Sequence, residues 1–226
     1  NSSRFGKILF FSLIFILLTI AMTMTENTKR TPEHHLENGT FVNTNGTANN
    51  KKLKELWKWM TGKKESKAIP IEFEMVDPDL KLINQDKSFS ITWIGHASFL
   101  YQNKELNILT DPHLTNRASP INFAGPQRYT KPAMKFEELP RIDFVTISHN
   151  HYDHLDLRTV KWIAKNNPDA MFLVPLGLKK WFLDKSINNV IELDWWESHI
   201  INDTKITFTP VQHWSSRTLF DRNQTL

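Results

Sequence analysis

Residues 148–154 read Ser-His-Asn-His-Tyr-Asp-His and bring three imidazoles and one carboxylate into six consecutive positions. His149 and His151 are two positions apart, so their side chains point to the same side of an extended chain. Asp153 and His154 follow where the chain turns toward the next element, so they point elsewhere. We therefore predict that this one segment serves two neighbouring metal ions.

The surrounding sequence favours a metal-binding loop over a polar loop with chance histidines. Nine histidines are spread over 226 residues, so three within six positions are hard to reach by accident. The chain has no cysteine, which excludes zinc fingers and leaves imidazole and carboxylate as ligands for Zn²⁺. The segment also lies between the apolar run 142–147, a predicted strand, and Asp156, which can cap a helix.

A second segment must contribute ligands, because one loop cannot complete two coordination spheres. His213 is the best partner, since it follows a strand predicted to begin at Lys205. A histidine at the end of a strand can supply a third nitrogen to the first metal site. We predict that His213 is this ligand.

From residue 88 onward the pattern is typical of a compact α/β domain. Apolar and β-branched runs separated by turn residues predict strands at 88–93, 98–102, 106–110, 142–147, 171–174, 190–193, 198–201 and 205–209. A helix is predicted after Asp156 and stops at Pro168. A shorter helix is predicted at 178–183.

The N-terminal part is organised differently. Residues 1–25 contain 18 consecutive uncharged residues and are predicted to be an uncleaved signal anchor, with a removed signal peptide as the alternative. Residues 26–50 are polar and predicted to be a flexible linker. Residues 51–87 are a basic and aromatic lead-in whose helix at 53–60 either lies on a membrane surface or packs on its own domain. The catalytic domain is assigned to 88–226.

The net charge of +4 suits an anionic surface such as a membrane. It does not indicate nucleic acid as a partner, because the lysines are not gathered into a groove-like motif.

Several further motifs resemble one enzyme family. The His-x-His-x-Asp-His pattern is the signature of hydrolases with the metallo-β-lactamase fold. The flanking motifs, from about residue 52 to the end, resemble the family of N-acylphosphatidylethanolamine-specific phospholipase D. They are Thr-Trp-Ile-Gly-His-Ala at 92–97, Leu-Thr-Asp-Pro at 109–112, Arg-Ala-Ser-Pro at 117–120, Val-Pro-Leu-Gly-Leu at 174–178, Asn-Val-Ile-Glu-Leu-Asp-Trp-Trp-Glu at 189–197 and Gln-His-Trp at 212–214.

The resemblance implies an αββα metallo-β-lactamase sandwich, of which about the N-terminal half would be present, with two Zn²⁺ per complete catalytic domain. It implies that one zinc is bound by His149, His151 and His213, and the other by Asp153 and His154, which would be catalytic.

The resemblance also assigns roles to residues beside these ligands. Tyr152 matches a position that contacts the phospholipid headgroup region, with a packing role as the alternative. His96 and Asp111 match positions that support the ligands or form turns, and His113 matches no ligand position.

The implied activity is zinc-dependent hydrolysis of N-acyl-phosphatidylethanolamine to an N-acylethanolamine and phosphatidic acid. The enzyme would be membrane-associated on an internal membrane, through a single-pass anchor or peripherally, and a homodimer is left open. The alternatives are another hydrolase of this fold acting on a soluble ester or phosphodiester, and an inactive, membrane-tethered zinc-binding fragment.

Two motifs of the family are not found in this sequence. The family has an aspartate that bridges both zincs in a Gly-Asp-Thr-Gly segment and a last histidine in a His-Trp-Gly segment. None of the seven glycines here precedes an aspartate, and no His-Trp-Gly occurs. We expect these ligands beyond residue 226, and the 226-residue chain alone to be inactive.

Overall fold

The computed structural model describes residues 31–47, 74–85 and 88–226. The chain divides into two compact units, residues 1–35 and 36–226. In the first unit the described residues form a turn, closed by a hydrogen bond of 2.9 Å from the His35 N–H to the Pro32 carbonyl. The predicted anchor and the predicted helix at 53–60 lie outside the described residues.

Six strands of the second unit form one sheet, in the order β1-β2-β3-β4-β5-β6. Their bounds are β1 Ser90–Gly95, β2 Ser98–Gln102, β3 Asn107–Thr110, β4 Phe144–Thr146, β5 Met171–Pro175 and β6 Val190–Leu193. The first three strands are antiparallel neighbours, and β3 to β6 are parallel. The predicted α/β class is confirmed.

The part of the chain that the structure describes contains three short helices. They are α1 Leu80–Gln85, α2 Leu157–Asn166 and α3 Lys179–Leu183, with a 3₁₀ turn at Phe136–Glu138. The side chain of Asp156 accepts a hydrogen bond from the N–H of Arg158 and so caps α2, as predicted; such a cap stabilises a helix by about 1 kcal/mol. Among the described residues, none of the helices has the length and apolar character needed to cross a membrane.

The sheet is covered on both faces, which explains the apolar character of its parallel strands. One face packs under α2 and α3 in a cluster that includes Val145, Phe172 and Phe182. The other face carries a smaller cluster that includes Phe144 and Leu173.

A hairpin covers part of this second face. Its strands are β7 Ser198–Ile201 and β8 Thr204–Thr207, joined at Asn202, which has φ +48°. Asparagine tolerates this left-handed conformation better than most residues. The strand predicted from Lys205 ends at Thr207, earlier than expected, and Pro210 has no N–H to extend the ladder.

Residues 36–47 are part of the predicted linker, yet in the structure they have fixed partners in the domain. The N–H of Phe41 donates to the Asn223 carbonyl at 2.8 Å. The side-chain oxygen of Asn43 accepts a hydrogen bond of 3.0 Å from the N–H of His213. These contacts hold the stretch against the segment that carries His213.

Candidate metal centre

The histidine-rich loop follows β4 at the carboxyl end of the parallel strands, the edge where ligands bind in open α/β sheets. The N–H of Ile147 donates to the Leu173 carbonyl of β5 at 3.0 Å, which holds the start of the loop. On the other side, Asp111 follows β3, and its N–H donates to the Thr146 carbonyl at 2.8 Å. The sheet therefore brings Asp111 beside the loop.

Three imidazole nitrogens from two segments converge on one point. Nε2 of His149 lies 2.8 Å from Nδ1 of His151. Nε2 of His213 lies 3.2 Å from the same Nδ1. The structure therefore brings together the three histidines that the sequence predicted for the first ion.

The spacing of these atoms fits a metal ion. Two ligand nitrogens at a normal Zn–N distance in a tetrahedral site are about 3.3 Å apart, close to the separations found here. His151 directs Nδ1 at the group, while its Nε2 is buried and has no hydrogen-bond partner within the described part of the chain. The site can hold a cation through three neutral imidazoles.

The electrostatics keep these imidazoles unprotonated. Burial and the neighbouring His154, His151 and His213 together lower the pKa of His149 to about 2. Burial and His213 lower the pKa of His151 to about 4. The pKa of His213 is lowered too, by burial and by His154. Near neutral pH the three rings therefore offer lone pairs without losing a proton.

A second group lies directly beside the first. Nε2 of His154 is 3.5 Å from Oδ2 of Asp153, and Nε2 of His96 is 2.8 Å from the same oxygen. The rings of His149 and His154 have centroids 4.1 Å apart, so the two groups are neighbours. The predicted pair, Asp153 and His154, is thus together in space, and His96 joins it.

Asp111 fixes the orientation of His154. Its carboxylate lies 2.8 Å from Nδ1 of His154 and accepts hydrogen bonds of 2.7 Å from both the N–H and the hydroxyl of Ser148. Since a carboxylate is only an acceptor, Nδ1 of His154 donates its proton to Asp111, and Nε2 is the nitrogen that can bind a cation once it has lost its own proton.

The pKa values in the second group follow from these contacts. Burial alone would lower the pKa of His154, but the hydrogen bond and charge of Asp111, together with Asp153, raise it. Burial alone would raise the pKa of Asp153, but the charge of His154 and the hydrogen bond from His96 lower it. Asp153 is therefore ionised and suited to bind a cation.

Two other predicted positions lie beside the centre. The hydroxyl of Tyr152 donates to the Arg217 carbonyl at 3.0 Å, and its ring centroid lies 4.1 Å from the central guanidinium carbon of that arginine. His113 is buried, and its ring centroid is 6.4 Å from that of His96. It belongs to neither ligand group.

A large cavity opens at the two groups. It has a volume of about 810 Å³ and a mainly apolar lining. His151 and Asp153 lie in its wall together with four aromatic side chains, Trp93, Tyr129, Tyr152 and Trp214. The cavity can therefore hold a molecule with a large apolar part against the metal-binding side chains.

A family profile described as a beta-lactamase superfamily domain matches residues 106–226. The chain belongs to this superfamily. The matched region contains the histidine-rich loop and His213, and the confirmed fold class is that of the superfamily.

The chain is also similar to two proteins that are named as phospholipases. The chain is 38% identical over 190 residues to N-acyl-phosphatidylethanolamine-hydrolyzing phospholipase D 1 of Caenorhabditis elegans, covering 77% of this chain and 53% of that protein. It is 33% identical over 173 residues to the mitochondrial N-acyl-phosphatidylethanolamine-hydrolyzing phospholipase D of Saccharomyces cerevisiae, covering 72% of this chain and 36% of that protein. The chain thus spans about half or less of the length of these relatives.

A solved structure, CmlA, a diiron β-hydroxylase from Streptomyces venezuelae, is 25% identical with a TM-score of 0.42, covering 56% of this chain and 24% of that one.

His96 was expected to support ligands or form a turn, and its Nε2 lies 2.8 Å from Oδ2 of Asp153. One residue at this centre was missed from the sequence. Arg217 contacts the loop from 62 to 67 residues away in sequence, and nothing in its local sequence distinguishes it.

Proposed function

We propose that this protein is a metal-dependent phosphodiesterase that hydrolyses N-acyl-phosphatidylethanolamine, with two Zn²⁺ as cofactors. The observation that carries the proposal is the convergence of His149, His151 and His213 beside Asp153 and His154. Two relatives whose names give this activity, in a worm and in a yeast, support the choice of substrate.

The five candidate ligands would bind two different ions. His149, His151 and His213 would hold the first ion, and Asp153 and His154 the second. A zinc pair supplies Lewis acidity and lowers the pKa of a bound water to near 7. The ionised carboxylate of Asp153 also orients a water by accepting its hydrogen bond.

The overall reaction balances without a covalent intermediate on the protein. The oxygen of water attacks phosphorus, and the bond from phosphorus to the ethanolamine oxygen breaks. The new oxygen stays in phosphatidic acid, and the leaving oxygen takes a proton and departs as the N-acylethanolamine. No serine or cysteine nucleophile is required.

The cavity beside the centre suits a substrate with acyl chains. Its aromatic walls, at Trp93, Tyr129 and Trp214, would cover apolar parts of the substrate while the phosphodiester lies at the ligand groups. Tyr152 also lines this cavity and would contact the headgroup region. We propose that the apolar segment within residues 1–25 and the basic segment 53–60, predicted from the sequence to be helical, bring the protein to an internal membrane.

The test uses the completed protein, with the two family ligands expected beyond residue 226, and measures turnover of vesicles that contain N-acyl-phosphatidylethanolamine, in water enriched in ¹⁸O, with mass spectrometry of both products. We expect the label in phosphatidic acid and none in the N-acylethanolamine. The His151→Asn variant should lose activity, whereas His199→Asn, which removes a histidine from β7, should retain it. Chelation should abolish turnover, and added Zn²⁺ should restore it.

Two results would contradict the proposal. A preference for a soluble fluorescent phosphodiester over the lipid would favour another hydrolase of this fold. Stoichiometric metal binding without turnover of either substrate would favour a zinc-binding protein that is not an enzyme.

A further inference from the structure

Arg217 lies under the histidine-rich loop and takes no part in the roles described above. Its side chain is half-buried, although a guanidinium is costly to remove from water unless its donors are satisfied. Burial lowers the pKa of Arg217, and the charges of Tyr152, Asp156 and Asp221 oppose that change. The contacts of its guanidinium explain why it is kept there.

The guanidinium joins two backbone positions on either side of the part of the loop that carries His151, Asp153 and His154. Nη1 donates to the carbonyl oxygen of Asn150 and to that of Leu155, in both cases at 2.8 Å. Between these two carbonyls lie His151, Asp153 and His154, three of the five predicted ligands. A single charged group therefore fixes the distance across the part of the loop that carries ligands for both ions.

Aromatic rings hold the guanidinium in place. Its central carbon lies 4.1 Å from the ring centroid of Tyr152 and 5.0 Å from that of Trp181. The Tyr152 hydroxyl in turn donates to the carbonyl of Arg217 at 3.0 Å, so the loop and the arginine are bonded in both directions. The N–H of Arg217 donates to Asp221, which holds the backbone.

The same short segment supplies a ligand and this contact. His213 is four positions before Arg217, so the segment that brings the third nitrogen to the first ion also ties the loop to itself. A shift of Arg217 would therefore also move His213.

We propose that Arg217 is a positioning residue for the metal centre, which clamps the loop so that His151, Asp153 and His154 are in place before a metal ion binds. This inference rests on the proposed function in one respect, namely that the loop binds metal.

The clamp requires arginine in particular. The planar guanidinium can stack on Tyr152 while its N–H groups donate to two carbonyls in the same plane. A lysine ammonium keeps the charge but has neither the plane nor the fixed geometry. Supporting residues around metal ligands typically change metal affinity by 10- to 100-fold when they are substituted.

The experiment measures the Zn²⁺ affinity of the chain by competition with a chromophoric chelator, together with urea unfolding of the metal-free chain. We expect Arg217→Lys to bind Zn²⁺ roughly 10-fold more weakly and Arg217→Gln up to about 100-fold more weakly. The matched control is Arg158→Lys, because Arg158 is exposed and its guanidinium makes a hydrogen bond of 3.4 Å to Asn122. The control should bind as the wild type does.

The possible outcomes separate the clamp from a role of Arg217 in stability and from a failure of the proposed function. Equal Zn²⁺ affinity in the wild type and both Arg217 variants would overturn the clamp, as would an equal loss in Arg158→Lys. Loss of the metal-free fold in Arg217→Lys would also overturn it, because Arg217 would then stabilise the domain and not the arrangement of ligands. A wild-type chain that binds no Zn²⁺ would instead refute the proposed function.

Discussion

Replacing Asp111 with asparagine is expected to weaken the second metal site without disturbing the fold. The backbone of Asp111 has φ +39°, and asparagine tolerates this region better than most residues. The side chains have the same shape, so the substitution changes charge and hydrogen bonding alone. The substitution changes the group that forms the hydrogen bond with Nδ1 of His154.

The effect follows from the loss of one acceptor. The carboxylate of Asp111 lies 2.8 Å from Nδ1 of His154 and holds the ring proton there. The amide of asparagine can still accept from the N–H of Ser148, but its nitrogen would donate to Nδ1 and move the ring proton to Nε2. A protonated Nε2 cannot bind a cation. We expect the affinity for the second ion to fall 10- to 100-fold, and the unfolding free energy of the metal-free chain to fall by about 1.5–3 kcal/mol for one charge-assisted hydrogen bond.

The assay is isothermal titration with Zn²⁺, supported by elemental analysis of the number of ions bound. Asp143→Asn is the matched control, because Asp143 also accepts a backbone hydrogen bond, of 2.9 Å from Asn107, at the opposite end of the parallel strands. The control should lose some stability and keep both ions. If Asp111→Asn bound two ions as tightly as the wild type, the inferred role of Asp111 in setting the tautomer would be refuted.

Three further predictions concern other parts of the centre and its support. Acidifying the metal-free chain from pH 7 to pH 5 should lower its unfolding free energy by about 2 kcal/mol through His149 and about 2 kcal/mol more through His151, because their pKa values are about 2 and about 4 in the fold and near 6.5 when unfolded, so that mainly the unfolded state gains protons in this range; urea unfolding at the two pH values checks this, and an unchanged midpoint would contradict it. His96→Asn should lower the affinity for the second ion by about 10-fold in the same titration, whereas His199→Asn should leave it unchanged. Asparagine suits the φ of +51° at position 96. Gly177→Ala should cost about 1–3 kcal/mol in thermal unfolding, since its φ is +89° and a Cβ would lie 2.6 Å from the Gln224 carbonyl; a stability equal to that of the wild type would show that this contact gives way.

The parts of the fold that could be predicted are those with local causes. Helix α2 begins after Asp156 and ends just before Pro168, because a cap and a missing N–H act on their immediate neighbours. The hairpin at Asn202 has the same kind of local cause. Strand bounds were less accurate, as in β4, which is Phe144–Thr146 and not 142–147. Pairing with neighbouring strands sets these limits, and pairing is not contained in a single stretch of sequence.

The candidate site divides in the same way. That the candidate ligands of the loop lie close together could be predicted, because they are near one another in the sequence. The contacts that orient them could not, because the Ser148 hydrogen bond to Asp111 spans 37 positions and that from Arg217 to Asn150 spans 67. His96 lies 57 positions from Asp153. Only the order of the strands in the sheet decides which of these side chains meet.

The long-range contacts also imply that the ligands are arranged by the domain and not by the metal. The loop is tied at its start through Ser148 to Asp111, and across its ligand-bearing part through the two carbonyls that Arg217 contacts. These bonds exist among protein groups alone, so the ordering entropy of the loop is offset when the domain folds. Metal binding then has to overcome little further disorder. Variants of Arg217 should therefore change metal affinity more than they change the fold, whereas variants of the core under α2 should do the opposite.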